Sequence, residues 1–372
     1  MVGFLPPKPS HDFSNGNPSL NGDETMNMCS WWTRSRWQVI WRTWGLLGIA
    51  VIGTSCISIS LPSATDRTQA IRPNTEKELE AFTRLARDPR EFAITITLDE
   101  NQTPRVVNAH RVRPDLVALV PLAGPEYSTL AILEGQIGPR PVRFLLDPTS
   151  AGNWTSLERA RKYGMVPLGP PLIYAQPDHV PELGRGALCV CPELQVDVMT
   201  VAAALFYARP IRGPLWPLAR SADAHDVDAV LGWVFLRAFE YVSWEFSIRA
   251  VVFSSRPLQL EPDHPRVLDR LPLLPGYNAL AVNASVDGKI RPVLVDLAGD
   301  FEFVQEEPSL SPLRQVSLGE VVFRNVRVSS RTEQGLGFPN LSRIGLRLLS
   351  RFDVVLDNHR NELWILAPRV RP

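Results

Sequence analysis

Net charge is the first thing this chain lacks. Across 372 residues, 39 basic side chains offset 39 acidic ones. Nucleic-acid binding needs a basic excess or stripe, so no nucleic-acid partner is expected. Cysteine is scarce too, at four residues. Cys29 and Cys56 lie near the N-terminus, and Cys189 and Cys191 form a C-x-C in "ALCVCPEL". No disulfide framework is implied. On a strand, Cys189 and Cys191 share one face. No His or Cys stands at ligand spacing from them, so they read as small strand residues. His225 lies beside Asp223, Asp226 and Asp228 in "DAHDVDAV", again without ligand spacing, and reads as part of a solvated acidic loop. No metal and no cofactor are expected. G-x-S-x-G, H-E-x-x-H, the P-loop and G-x-G-x-x-G in context are all missing, so none of those site types is indicated.

What the chain does have is proline, 34 residues spread along its length. Frequent proline breaks long helices and suits short strands joined by turns. A hydrophobic fraction of 45% is enough for a real core, and the length leaves room for two domains.

One long apolar run stands near the N-terminus. Residues 1–36 are polar at first, rich in Pro, Asn, Ser and Gly, and read as a disordered cytoplasmic tail. Residues 37–62 read as a membrane anchor or signal segment. Arg34, Arg36 and Arg42 precede an uncharged run from Thr43 to Ser63, long enough to cross a bilayer. Trp37, Trp41 and Trp44 sit where an interfacial belt would lie. Positive charge ahead of the run keeps the tail cytoplasmic and sends the rest outside. "IGTSC" ends on Cys56, a candidate lipidation site in the alternative lipoprotein reading. Residues 63–117 form a connector with a short helix in "NTEKELEAFTRLARD", where Leu79, Phe82, Leu85 and Ala86 recur at helical spacing.

The remainder is a repeat. "PLAGPEYSTLAI" from Pro121 matches "PLLPGYNALAV" from Pro272, with Tyr127 against Tyr277. "GPRPVRFLLD" and "GKIRPVLVD" follow, ending on Asp147 and Asp296. "AVLGWVFLRAFEYVSWEF" places Gly232, Leu236 and Phe239 at the spacing of Gly345, Leu349 and Phe352 in "SRIGLRLLSRFDVVLDNH". Strand patterns "RAVVFSS" and "NELWILA" close the two copies. Turn signals and strand lengths fit all-β lobes, over residues 118–258 and 259–372. In a pseudo-twofold pair the equivalent aspartates can meet at the axis. Two carboxylates in contact share one proton and titrate as a unit. Such a pair can activate a water with one member and polarise a carbonyl with the other.

Over residues 118–368 the chain resembles the retropepsin-like and pepsin-like aspartic peptidases. "FLLDPTSAG" and "VLVDLAGDF" are similar to that family's hydrophobic-hydrophobic-Asp-Thr-Gly motif. "AVLGWVFLRAF" and "RIGLRLLSRF" are similar to its later hydrophobic-hydrophobic-Gly element. The resemblance implies an all-β fold of two acid-protease-like lobes, with Asp147 and Asp296 as the catalytic dyad. It also implies Pro148, Thr149, Ser150, Leu297, Ala298 and Gly299 in the dyad loops, and Gly232 and Gly345 in the supporting turns. Where the family has Thr then Gly after each aspartate, this chain has Pro148-Thr149 and Leu297-Ala298. The family's threonines cross-link the two loops by hydroxyl bonds, which neither Pro148 nor Leu297 can form. "YAQPDHVPELGRGALCVC" carries Gly184 and Gly186 as hinge-like residues of a candidate flap, or of an ordinary surface loop. Trp233 and Trp244 read as core residues.

Two function classes follow. One is a membrane-tethered aspartic peptidase hydrolysing a polypeptide substrate through Asp147 and Asp296. The other is an inactive pseudopeptidase holding an extended peptide ligand by strand pairing. The charge pattern predicts that protease added to intact cells reaches the C-terminal region, and protection until lysis would count against that orientation.

Overall fold

In a computed structural model of the protein, the residues described are 72–73, 76–98, 104–124, 128, 130–173, 185–209, 211–212, 227–305, 313–329 and 341–369. The tail, the apolar run, Cys29, Cys56, Tyr127, Gly184 and His225 lie outside them. Among the described residues no helix is long and apolar enough to cross a membrane.

Helix α1 (Glu76–Thr83) buries Leu79 and Phe82. The first repeat then supplies β1 (Arg111–Val112), β2 (Val117–Pro121), β3 (Ile132–Ile137), β4 (Arg140–Leu146), β5 (Trp154–Ser156), β6 (Arg185–Val196), β7 (Met199–Arg209) and β8 (Ala229–Leu231). It ends in α2 (Trp233–Leu236), β9 (Tyr241–Glu245) and β10 (Ala250–Ser254). The second repeat supplies β11 (Val267–Pro272), β12 (Ala281–Val286), β13 (Lys289–Asp296), β14 (Phe303–Val304), β15 (Leu313–Leu318), β16 (Val321–Ser329) and β17 (Ser342–Gly345). It ends in α3 (Leu346–Leu349), β18 (Asp353–Asp357) and β19 (Glu362–Leu366).

Strand pairing shows that the repeat is structural. In the first lobe β3 pairs antiparallel with β4, β4 parallel with β8, β8 antiparallel with β5, and β5 parallel with β7. Antiparallel ladders from β7 to β6 and from β6 to β3 close the ring. The second lobe repeats each step in the same sense, from β12 to β13, β17, β14, β16, β15 and back to β12. Each lobe is therefore a closed barrel, which removes the sheet edges.

A six-stranded sheet joins the lobes in the order β11-β19-β18-β9-β10-β2. Its centre is symmetric. Tyr241 faces Asp357 and Trp244 faces Val354. The differences 354 − 241 and 357 − 244 are both 113, so one pair maps onto the other when the repeats are exchanged. The pseudo-twofold axis runs through this ladder. One apolar core continues through both lobes, from Phe144 and Trp244 to Val295 and Leu349.

The apolar runs that end on the two aspartates have a physical reason. β4 starts exposed at Arg140 and Pro141 and ends with Phe144, Leu145 and Leu146 fully buried. β13 follows the same course from Lys289 to Val295. Strands covered on both faces read as continuous apolar runs rather than alternating ones. Each run carries its aspartate inward.

One expectation needs correction, and one gains detail. The connector packs on the lobes: β1 joins the first lobe by pairing with β7, and α1 feeds Leu79 and Phe82 into the shared core. Asp228 is not a solvated loop residue. It accepts from Arg143 N at 3.0 Å and pairs with Arg159 Nε at 3.0 Å, so it pins β4 to the helix Leu157–Lys162. Trp244 is fully buried, and Trp233 is half-buried under Arg237.

Gly232 and Gly345 mark where the supporting turns press on the aspartate loops. A Cβ at Gly232 would stand 2.4 Å from Gly152 O and 2.6 Å from Ser150 O. At Gly345 it would stand 2.2 Å from Phe301 O. Backbone cannot yield as a flexible side chain can, so overpacking here costs about 1–3 kcal/mol or more. Gly232→Ala and Gly345→Ala should each lower the urea midpoint, by an amount equivalent to that loss of unfolding free energy. Gly169→Ala, with nothing within 4 Å of the added carbon, should leave it within error.

Candidate active site

The site is built from the two loops at the inner ends of β4 and β13. Asp147 follows β4 and Asp296 ends β13, and both side chains are buried. The carboxylates are held alike. Thr149 N donates to Asp147 Oδ1 at 2.9 Å, and Ala298 N donates to Asp296 Oδ1 at 3.1 Å. The added Cβ atoms of Thr149 and Ala298 thus leave the backbone donor in place. Thr149 adds a second bond, its hydroxyl donating to Asp147 Oδ1 at 2.7 Å.

The supporting turns are also equivalent. Trp233 N donates to Ser150 O at 2.7 Å, and Leu346 N donates to Gly299 O at 2.9 Å. In each lobe the residue after the turn glycine holds the carbonyl three residues past the aspartate. Ser150 turns its hydroxyl to Gly152 O at 2.8 Å, away from the carboxylates. Leu297 is fully buried in the core. Pro148 has no N–H to offer, but its carbonyl accepts from Leu280 N of the other lobe at 2.9 Å. A backbone bond therefore crosses between the lobes without any threonine hydroxyl.

The lobes differ at one charged residue. Arg343 of β17 donates from Nη1 to Asp296 Oδ2 at 3.1 Å. The pair is buried, with side-chain exposures of 9% and 3%. Sequence reading did not single out Arg343, although the signal was present. It stands two residues before Gly345, where the first repeat has Val230 before Gly232. Among the described residues no cation is bonded to Asp147, and no protein donor reaches its Oδ2.

These surroundings raise Asp147 to about 6. Burial is the main cause, and the charge of Asp296 is the second. The bonds from Thr149 and the charge of Arg343 act the other way. The two aspartates are thus brought together closely enough to sense each other's charge.

His110 is a second buried group that sequence reading passed over. It sits just ahead of β1 with φ 53°. Its Nε2 accepts from Leu205 N at 3.2 Å and lies 2.8 Å from Asn153 Nδ2. Asn153 Oδ1 in turn accepts from Gly232 N at 2.8 Å. Two donors converge on Nε2, so the ring is neutral with its proton on Nδ1. Burial lowers its pKa to about 4. His110 thereby props the turn beneath the Asp147 loop.

Gly186 lies inside β6 opposite Leu172, where an added Cβ would meet Ala208 O at 2.6 Å. Gly184 falls in the undescribed stretch between Ile173 and Arg185. Cys189 and Cys191 are buried, reduced thiols whose pKa values burial pushes up. Among the described residues no His, Cys, Asp and Glu group is arranged to hold a metal.

No protein-family model and no curated protein matches the chain. Among solved structures it is similar to basic 7S globulin from soybean, at 12% identity and a TM-score of 0.42, over 68% of this chain and 95% of that one. It is also similar to conglutin gamma, a unique basic 7S globulin from lupine seeds, at 14% identity, the same TM-score and the same coverage.

Asp147 and His110 titrate in opposite senses over nearly one pH window. Asp147, raised from 3.8 to about 6, stabilises the fold most below 3.8 and loses that contribution as pH rises through about 6. His110, lowered from 6.5 to about 4, contributes fully above 6.5 and loses it as pH falls through about 4. Each shift is worth on the order of 3 kcal/mol, so the two slopes largely cancel. Asp147→Asn should therefore stabilise the protein at pH 7 and steepen its loss of stability toward pH 4.5. His110→Gln should leave the opposite slope, with stability falling as pH rises. Urea midpoints at the two pH values check both.

Proposed function

We propose that this chain is a two-lobed, acid-protease-like protein that holds an extended peptide segment without cutting it. The observation that supports this reading is the buried bond from Arg343 to Asp296. A working carboxylate dyad needs one member free to take a proton from water while the other carries one. Both oxygens of Asp296 are engaged, Oδ1 by Ala298 N and Oδ2 by Arg343. Arg343 supplies the positive charge that a shared proton supplies in such a dyad. Asp147 keeps Oδ2 open. As a neutral acid below about pH 6 it can donate to a peptide carbonyl, and when ionised it can accept from a peptide N–H. The membrane is the second proposed partner, through the run from Thr43 to Ser63, with the lobes extracytoplasmic.

A peptidase is the competing reading, and one observation favours it. Both loops keep the backbone donor to their aspartate, and Asp147 senses Asp296. One experiment separates the two. The wild type is incubated with a broad library of unfolded peptides between pH 3 and 7, and retention and cleavage are read together. Retention without cleavage is expected. Cleavage that disappears in Asp147→Asn would instead establish the peptidase, and a failure to retain any peptide would remove the binding reading.

A further inference from the structure

We infer that Arg343 is a mask on an otherwise intact carboxylate dyad, and that removing this one side chain unmasks a peptide hydrolase. The inference rests on the non-cutting reading above and says what enforces it.

The internal repeat provides the control. Val230 and Arg343 are equivalent residues. Val230 pairs with Leu145 on β4 and Arg343 with Leu294 on β13, each two residues before its aspartate. Val230 is fully buried and apolar, whereas Arg343 places a guanidinium on the carboxylate. Otherwise the loops match in the contacts that matter for the carboxylates. The N–H bonds to Oδ1 are 2.9 and 3.1 Å, and the turn-to-loop bonds are 2.7 and 2.9 Å. The departures at Pro148, Thr149, Leu297 and Ala298 therefore do not displace the donors, and the bond from Leu280 N to Pro148 O still ties the loops together. Two side chains make the site asymmetric, the Thr149 hydroxyl on Asp147 and the Arg343 guanidinium on Asp296, and only the second carries charge.

Removing the guanidinium leaves two buried carboxylates that act on each other's charge and, among the described residues, no cation bonded to either. They cannot both ionise, so the pair retains one proton to higher pH. The charge of Arg343 acts to lower Asp147, so its loss moves Asp147 upward. The ionised member can then take a proton from water as the water oxygen bonds to the peptide carbonyl carbon. The C–N bond breaks and the leaving amine receives a proton, with water as the only co-reactant.

Arg343→Val installs the residue the first lobe already uses, and Arg343→Met keeps the length without the charge. Each is compared with the wild type and with the same variant carrying Asp147→Asn. Cleavage of the peptide library between pH 3 and 7 is one readout, and the infrared band of the protonated carboxyl group is the other. Cleavage in Arg343→Val should rise roughly 100-fold above the enzyme-free background, at which the wild type stays, on the scale of general acid–base catalysis, and vanish with Asp147→Asn. The carboxyl band should persist to higher pH. Folded variants that retain peptide and show the band shift, yet do not cut, would overturn the mask while leaving peptide binding intact. Cleavage that survives Asp147→Asn would overturn it too. Wild-type cleavage would overturn the reading beneath it, a separate failure.

Discussion

The ladder between Tyr241–Trp244 and Val354–Asp357 is the constraint on which the rest depends. It lies on the pseudo-twofold axis and fixes how the barrels meet. Its ends carry buried carboxylates paired with arginines. Asp353 pairs with Arg266 Nη2 at 2.7 Å, Glu245 with Arg369 Nε at 2.9 Å, and Asp357 with Arg360 Nη1 at 2.7 Å. Buried ion pairs add little net stability, but breaking one is costly because it strands a charge. A one-residue slip of this ladder would turn every side chain to the wrong face and part these carboxylates from their arginines. Register at the axis is therefore strongly specified, and with it the meeting of Asp147 and Asp296.

A symmetric scaffold with an asymmetric centre follows. The barrels share their order of strand pairing, their turn glycines and their carboxylate donors. Charge breaks the equivalence: Asp296 has a permanent cation, and among the described residues Asp147 has an oxygen without a donor. The symmetric contacts belong to backbone, which the repeated topology reproduces. The asymmetric contact belongs to a side chain, which can change in one copy without disturbing the ring of strands around it.

Much of this was legible in the sequence. The paired aspartates, the turn glycines and the closing strands recur in order, and each is a short-range pattern tied to a local need. An apolar run ending in Asp reads as a doubly covered strand delivering a polar group. Arg343 was overlooked for a physical reason: in "SRIGLRLLSRF" it looks like one more surface arginine on an edge. Only the alignment with Val230 marks the position as interior. His110 and the packing of residues 76–117 were not legible, since they depend on contacts far away in the chain and on a left-handed backbone at a non-glycine residue. The altered loop residues were read by side chain, whereas the structure uses their backbone.

The distance in sequence between the halves of the central ladder has a kinetic meaning. Each barrel closes largely through contacts within its own repeat, while the ladder joins strands more than a hundred residues apart. Loop-closure entropy grows with separation, and distant pairings are the slow ones. The barrels can therefore form while their aspartates are still apart and hydrated. In that order of assembly the two carboxylates come together at docking, as the core shared by the lobes closes. Their mutual repulsion thus falls on the last step of assembly, and the first parting of the lobes relieves it.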